Sequence, residues 1–100
     1  MHLVRQHYAQ PGVTVTESKF LNEPGVGPRE VDIVVEAEAD GDPVIISLEV
    51  YQQGRRATVE WVEQQICKHR TLPTNKLVLV SASGFTRGAL SLDPPVRWVG

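Results

Sequence analysis

Apolar and polar positions alternate most clearly between Glu30 and Tyr51. Successive side chains of a strand point to opposite sides, so Val31, Ile33 and Val35 share one face and Glu30, Asp32, Val34 and Glu36 the other. Asp40-Gly41 is a strong two-residue hairpin signal. Beyond it, a strand over 44–51 sets Ile46, Leu48 and Val50 on one face and Ile45, Ser47, Glu49 and Tyr51 on the other. Val44 to Ile46 is apolar on both faces, which marks a central, covered strand. Upstream, 1–9 reads as a short helix, the tail of a longer one, ending before Pro11-Gly12. Residues 13–21 read as a first strand, and 22–28, with two prolines and two glycines, as a loop. Downstream, 52–57 is a polar, basic loop and Thr58 an N-cap. A helix then runs to about Arg70, with Val59, Val62 and Ile66 as its apolar stripe. Leu72-Pro73-Thr74-Asn75 ends it, and 76–83 is a nearly continuous apolar strand. A strand–helix–strand crossover of this length is a βαβ unit, so the last of these strands lies parallel to the one before the helix. Gly84 breaks it, 85–90 reads as a short helical segment, Pro94-Pro95 as an extended turn, and 96–99 as an edge strand. The order is αβββαβ with a short tail: a mixed α/β (α+β) sheet with helices against it, in a single domain over 1–100 that looks trimmed at its N-terminal helix.

Composition narrows the function classes. The chain is 41% hydrophobic and 22% charged, so it is globular rather than disordered. A net charge of −2 lacks the footprint of a dedicated nucleic-acid binder, although a local basic patch is compatible with it. No apolar run approaches the ~18 residues of a membrane span, and the N-terminus is too polar for a signal peptide. The lone Cys67 gives neither a disulfide framework nor a zinc cluster, which points to a reducing cytoplasm.

The chemistry gathers on one face of the hairpin. With Asp40-Gly41 as the loop, Asp32 faces Glu49, Glu30 faces Tyr51 and Val34 faces Ser47. Facing Cβ atoms in an antiparallel pair lie roughly 4.5–5.5 Å apart, where like charges destabilise a sheet. A bound cation is the natural compensation, and oxygen-only ligands suit Mg2+ or Mn2+. The competing reading makes these residues solvated charges on an exposed face. A loop at Gly41-Asp42 instead pairs Asp32 with Tyr51, leaving the two acids diagonal on the same face.

An acidic strand, a hairpin, a second strand with Glu49 two residues before position 51, and then a helix follow one another in order. Arg29-Glu30-Val31-Asp32-Ile33-Val34-Val35 resembles the acidic strand of the PD-(D/E)xK nucleases, the superfamily of restriction endonucleases and Mrr-like enzymes. Leu48-Glu49-Val50-Tyr51 resembles their Glu-x-Lys strand. The segment 59–86, from Val59-Glu60-Trp61 through Lys68-His69-Arg70 to Ser83-Gly84-Phe85-Thr86, resembles the helix and strand that follow in one restriction-endonuclease-like branch. The resemblance covers about residues 29–90. It implies a restriction-endonuclease-like αβββαβ core and Mg2+ (or Mn2+) held by Asp32, Glu49 and the carbonyl of Val50. It also implies DNA as the partner, phosphodiester hydrolysis as the reaction, and a homodimer as a compatible assembly. The catalytic set is then Asp32, Glu49 and Tyr51, with Arg55 and Arg56 placed to contact the DNA backbone.

The sequence departs from that pattern at position 51. The superfamily's lysine orients the attacking water; Tyr51 can donate a hydrogen bond but, with a pKa near ~10, supplies no positive charge. On the helical wheel Lys68 lies on the far side from the apolar stripe and is expected in solvent. His69 flanks the stripe within reach of the sheet, although a lone His is more often a surface or capping residue than a catalyst. Lys68, His69 and Arg70 together suit the negative end of the helix dipole without any further role. Residues 1–16 contain no Asp or Glu, whereas many relatives draw another acidic ligand from the first helix. Trp61 and Trp98 read as packing residues. An alternative function is a nuclease fold that has lost catalysis and binds DNA or protein. A third reading is an unrelated α/β domain with surface acids.

Overall fold

The Asp40-Gly41 turn fixes the register of the central hairpin. In a computed structural model of the chain, which describes residues 2–92 and 96–99, these two residues have φ of 53° and 82°. Both are left-handed, as a type I′ turn requires. β2 (Gly27–Ala39) and β3 (Asp42–Tyr51) flank it, with Ala39 opposite Asp42, Val34 opposite Ser47 and Ile33 opposite Leu48. This is the expected register.

The remaining elements complete a five-stranded sheet in the order β1-β2-β3-β4-β5. β1 (Thr14–Glu23) is antiparallel to β2. β4 (Lys76–Ser81) is parallel to β3, as the βαβ reading requires, and β5 (Val96–Val99) is parallel to β4. The helices are α1 (His2–His7), α2 (Val59–His69) and α3 (Arg87–Leu90). Thr58 caps α2 by accepting a hydrogen bond from the Trp61 amide at 3.3 Å. Asn75 starts β4: its amide donates to the Ile45 carbonyl at 2.8 Å and its side chain accepts from the Ile45 amide at 2.7 Å. No helix among the described residues is long and apolar enough to cross a membrane. The expected Pro94-Pro95 turn and the side chain of Trp98 lie outside the described residues.

Each sheet face has its own core. Val4 of α1 packs on Ile33, Val35, Leu48, Val78 and Val80. On the other face Val62 of α2 and Ala89 of α3 join Tyr51, Ala57, Leu79 and Phe85, with Trp61 and Ile66 against them. The helix-side face of the hairpin is therefore the face that carries Ser47, Glu49 and Tyr51. Burying two large apolar side chains such as Leu79 and Phe85 there contributes roughly 1.5–3 kcal/mol each.

The loop expected over 22–28 is mostly strand. β1 and β2 run on to Glu23 and Gly27, and the turn between them closes with the Val26 amide on the Glu23 carbonyl at 3.0 Å. Pro28 is tolerated because this end of β2 is paired on one side only. A bend separates the two halves of β2. Val31 and Val34 pack in one cluster with Leu21 and Leu72, which side chains three apart on a straight strand cannot do. Between them lies Asp32, and its place on β1 is taken by Ser18, left-handed at φ 55° and missing from the ladder. The bend turns the outer half of the β1–β2 hairpin toward the C-terminal end of α2.

Candidate active site

The β2–β3 ladder stops at Ile33 and Leu48, whereas the β3–β4 ladder continues to Tyr51 and Ser81. Beyond Leu48, β3 is thus laddered to β4 but not to β2. Side chains take over across the gap. The Asp32 amide donates to Glu49 Oε1 at 3.3 Å, and the Val50 amide donates to Asp32 Oδ2 at 2.8 Å. Each acid is held by the other strand's backbone. A strand residue presents its N–H and C=O to the same edge, so the Val50 carbonyl faces the gap as well.

Glu49 is only 3% exposed, so the reading of solvated charges on an open face fails for this acid, whereas Asp32 and Glu30 are exposed as that reading has them. Its Oε2 meets two groups from the end of α2: Lys68 Nζ at 2.7 Å and His69 Nε2 at 2.7 Å. Lys68 also donates to the Glu30 carbonyl at 2.6 Å. His69 Nδ1 lies 2.7 Å from Thr74 Oγ1, which lies 2.8 Å from Ser47 Oγ. No buried side-chain nitrogen or oxygen among the described residues lacks a partner.

Two expectations are corrected here. Lys68 does not face solvent; its side chain is largely buried between β3 and β2. The flank of α2 opposite the apolar stripe is open at Gln64 and Cys67, but at its C-terminal end the bent β1–β2 hairpin comes close enough for Lys68 to reach the Glu30 carbonyl. His69 is buried and reaches the sheet, bonded to Glu49; the reading of it as a surface or dipole-satisfying residue is the one that fails. A periodic signal was available: Val62, Gln65, His69 and Leu72 continue the 3–4–3 spacing of a buried stripe through polar residues, and a stripe drawn from apolar residues alone ends too early.

The Tyr51 ring belongs to the core, while the residue also lines the hollow beside Asp32. It is buried in the apolar cluster, edge-on to Trp61 with ring centroids 5.1 Å apart, and its hydroxyl accepts from Arg55 Nε at 3.2 Å. Arg55 and Arg56 are exposed in the loop before α2. Asp32 is exposed and lines a hollow of about 330 Å³ with Val50, Tyr51, Gln52, Gln53 and Trp61. On the other side of Lys68, a hollow of about 560 Å³ is lined by Arg29, Glu23, Gln64, Gln65 and Thr71. The acids and Lys68 thus stand between two openings.

The electrostatics divide the two acids. Burial raises the pKa of Asp32, the Val50 amide offsets part of this, and the nearby Glu49 charge raises it again. Burial would also raise Glu49, but hydrogen bonds from His69 and Lys68 and the Lys68 charge together outweigh it and hold Glu49 below the ordinary carboxylate range. The donor set suits a hard divalent ion: Asp32 Oδ1 has no protein partner among the described residues, Glu49 Oε1 is held only by the long bond from the Asp32 amide, and the Val50 carbonyl faces the same gap. No group of three or more His, Cys, Asp or Glu among the described residues is arranged as a metal cluster, so any such ion would draw on carbonyl and solvent oxygen as well.

No protein-family model matches the chain, and no curated protein matches it. Among solved structures it is similar to AF1548, a protein of unknown function, with a TM-score of 0.63 and 13% identity. The match covers 89% of this chain and 48% of that one, so the chain spans about half the length of that protein. At this identity the likeness concerns the fold alone: the mixed sheet with its helices is shared.

Proposed function

We propose that this chain is a divalent-metal-dependent, restriction-endonuclease-like domain that hydrolyses DNA phosphodiester bonds, with Lys68 of α2 supplying the cation that the strand position occupied by Tyr51 lacks. The observation that carries the reading is Lys68 Nζ at 2.7 Å from Glu49 Oε2, beside Asp32. An acid pair and a lysine converge there although the lysine comes from a different element. Asp32 Oδ1, Glu49 Oε1 and the Val50 carbonyl would hold Mg2+ or Mn2+. Such an ion, when bound, polarises a phosphodiester oxygen and activates a water nucleophile.

The residues of the chain perform the rest. An ammonium has three donors; Lys68 commits one to Glu49 and one to the Glu30 carbonyl. Its third is available to orient a water or to meet negative charge developing on the phosphate. Asp32, open to the hollow beside Trp61 and Gln52, is the acid that a substrate reaches first. Arg55 and Arg56, at the rim, supply backbone contacts that carry no sequence information. Tyr51 anchors this end of β3 in the core and holds Arg55, a supporting part rather than a chemical one.

A second reading, a binding module on the same fold, is favoured by one observation: Lys68 and His69 already balance Glu49 without an added ion. Plasmid nicking with Mg2+ or Mn2+ separates the two. Wild type nicks, Asp32→Asn does not, and Lys68→Ala slows cleavage by about 100-fold or more, the scale of a lost positioned proton-transfer or charge-stabilising group. Cleavage that persists in Asp32→Asn removes the assigned site. No cleavage, together with calorimetric silence toward Mn2+, selects the binding module.

A further inference from the structure

We infer that His69 is a positioning residue, whose task is to hold the Glu49 carboxylate in its metal-ready orientation and keep Lys68 from being consumed by it; this rests on the nuclease reading above. The hydrogen bonds form a circuit. Ser47 on β3 meets Thr74 at 2.8 Å, Thr74 meets His69 Nδ1 at 2.7 Å, and His69 Nε2 meets Glu49 at 2.7 Å, two residues from Ser47 on the same strand face. The chain begins and ends on one strand and passes through the loop before β4 and the last residue of α2. Ser47 is fully buried and His69 nearly so, on a face that is otherwise apolar toward Tyr51 and Leu79. Three buried polar groups, Ser47, Glu49 and His69, with half-buried Thr74 linking them, are costly in such a place unless each is satisfied.

The geometry says what the circuit achieves. His69 approaches Oε2, the oxygen that Lys68 also takes, and leaves Oε1 on the Asp32 side. Without His69, the carboxylate can rotate toward Lys68 and pair with it through both oxygens, which removes an oxygen from the gap and a donor from the substrate side. Thr74 and Ser47 hold the ring: each hydroxyl both donates and accepts, so the ring nitrogen stays bonded in either tautomer. His69 touches neither the gap nor the hollows beside it and acts through Glu49.

Two measurements test this on the intact chain. The first needs no metal. The Asp32 amide donates to Glu49 Oε1, so its hydrogen exchange, referred to that of the Val35 amide on the same strand, reports where the carboxylate sits. His69→Leu should speed Asp32 exchange at least ~10-fold relative to Val35, and His69→Gln, whose side-chain amide can still donate to Glu49, should stay within ~3-fold of wild type. Thr74→Val, which leaves the ring in place without its anchor, should fall between. The second is Mn2+ titration calorimetry: His69→Leu should weaken binding at least ~10-fold and His69→Gln should restore most of it. Unchanged relative exchange in His69→Leu, or a His69→Gln variant no better than His69→Leu, overturns the positioning role. Wild type that neither binds Mn2+ nor nicks DNA overturns the nuclease reading instead, while the exchange measurement still decides His69.

Discussion

Glu49 accepts from the Asp32 amide and Asp32 from the Val50 amide, yet the environments of the two acids push them in opposite directions. The folded state depresses the pKa of Glu49. Its contribution to stability is therefore complete above the ordinary glutamate value of about 4.3 and is lost as the pH falls through the lower folded value. Asp32 is raised, so the folded state prefers it protonated; that contribution is present below about 3.9 and is lost as the pH rises through the raised value. At pH 7 the ionised Asp32 is a liability that a bound cation would remove. Urea unfolding at pH 7 should find Asp32→Asn slightly more stable than wild type, by a few tenths of a kcal/mol after solvent screening of an exposed group. Glu49→Gln should be less stable by about 1 kcal/mol or more, because it weakens charge-assisted bonds to Lys68 and His69, and that gap should close as the pH falls through the lowered folded-state value and wild-type Glu49 takes up its proton. Position 51 gives a third test. Replacing Tyr51 by Lys looks from the sequence like restoring a motif. In the fold it removes a ring packed edge-on against Trp61 and sets an ammonium where the hydroxyl now meets Arg55, so Tyr51→Lys should cost about 2 kcal/mol or more and leave nicking no faster.

At the scale of elements, the hairpin turn was fully legible. Asp40-Gly41 implied two left-handed residues, and the φ values of 53° and 82° supply them. Gly41→Ala should cost about 1 kcal/mol in thermal or urea unfolding, since alanine resists that conformation. The extent of β1 and β2 was less legible because prolines and glycines mark loops only on average; here they stand where β2 has one paired edge. The bend opposite Ser18 left no sequence signal, since a left-handed serine looks like any other. That bend is why α2 was misread. The apolar stripe of Val59, Val62 and Ile66 describes contact with the sheet beneath the helix. It cannot describe contact with a hairpin folding up along its flank, where Lys68 finds Glu30.

The whole molecule places the site at a mismatch between two ladders. Antiparallel pairing to β2 ends three residues before parallel pairing to β4 does, and the opening lies at the C-terminal end of β3, where α/β sheets commonly bind ligands. If a divalent ion binds there and not to the unfolded chain, Mn2+ should raise the melting temperature with concentration, the equivalent of about 2.7 kcal/mol at 100 times its Kd. Asp32→Asn should abolish that shift, and an equal shift in the variant would place the ion elsewhere. The chain's ten lysines and arginines are outnumbered by twelve acids, for a net charge of −2. If it binds DNA as proposed, its affinity should fall with salt more gently than that of a strongly basic binder, a slope that a titration between 50 and 200 mM salt measures.

The sequence by itself determined the element order, the hairpin register, the parallel strand after the helix and the fact that Asp32 and Glu49 share a face. All of these follow from local rules: strand alternation, turn conformation, capping and the reach of a crossover. Only the tertiary structure decided that Glu49 is buried while Asp32 stays open, that Tyr51 belongs to the core, and that Lys68 and His69 meet Glu49. Those facts depend on residues 19 and 20 positions apart along the chain and on the bend of a strand that neither helix nor hairpin periodicity encodes. A side chain's period says which way it points from its own element; what stands there is settled by the packing of all the others.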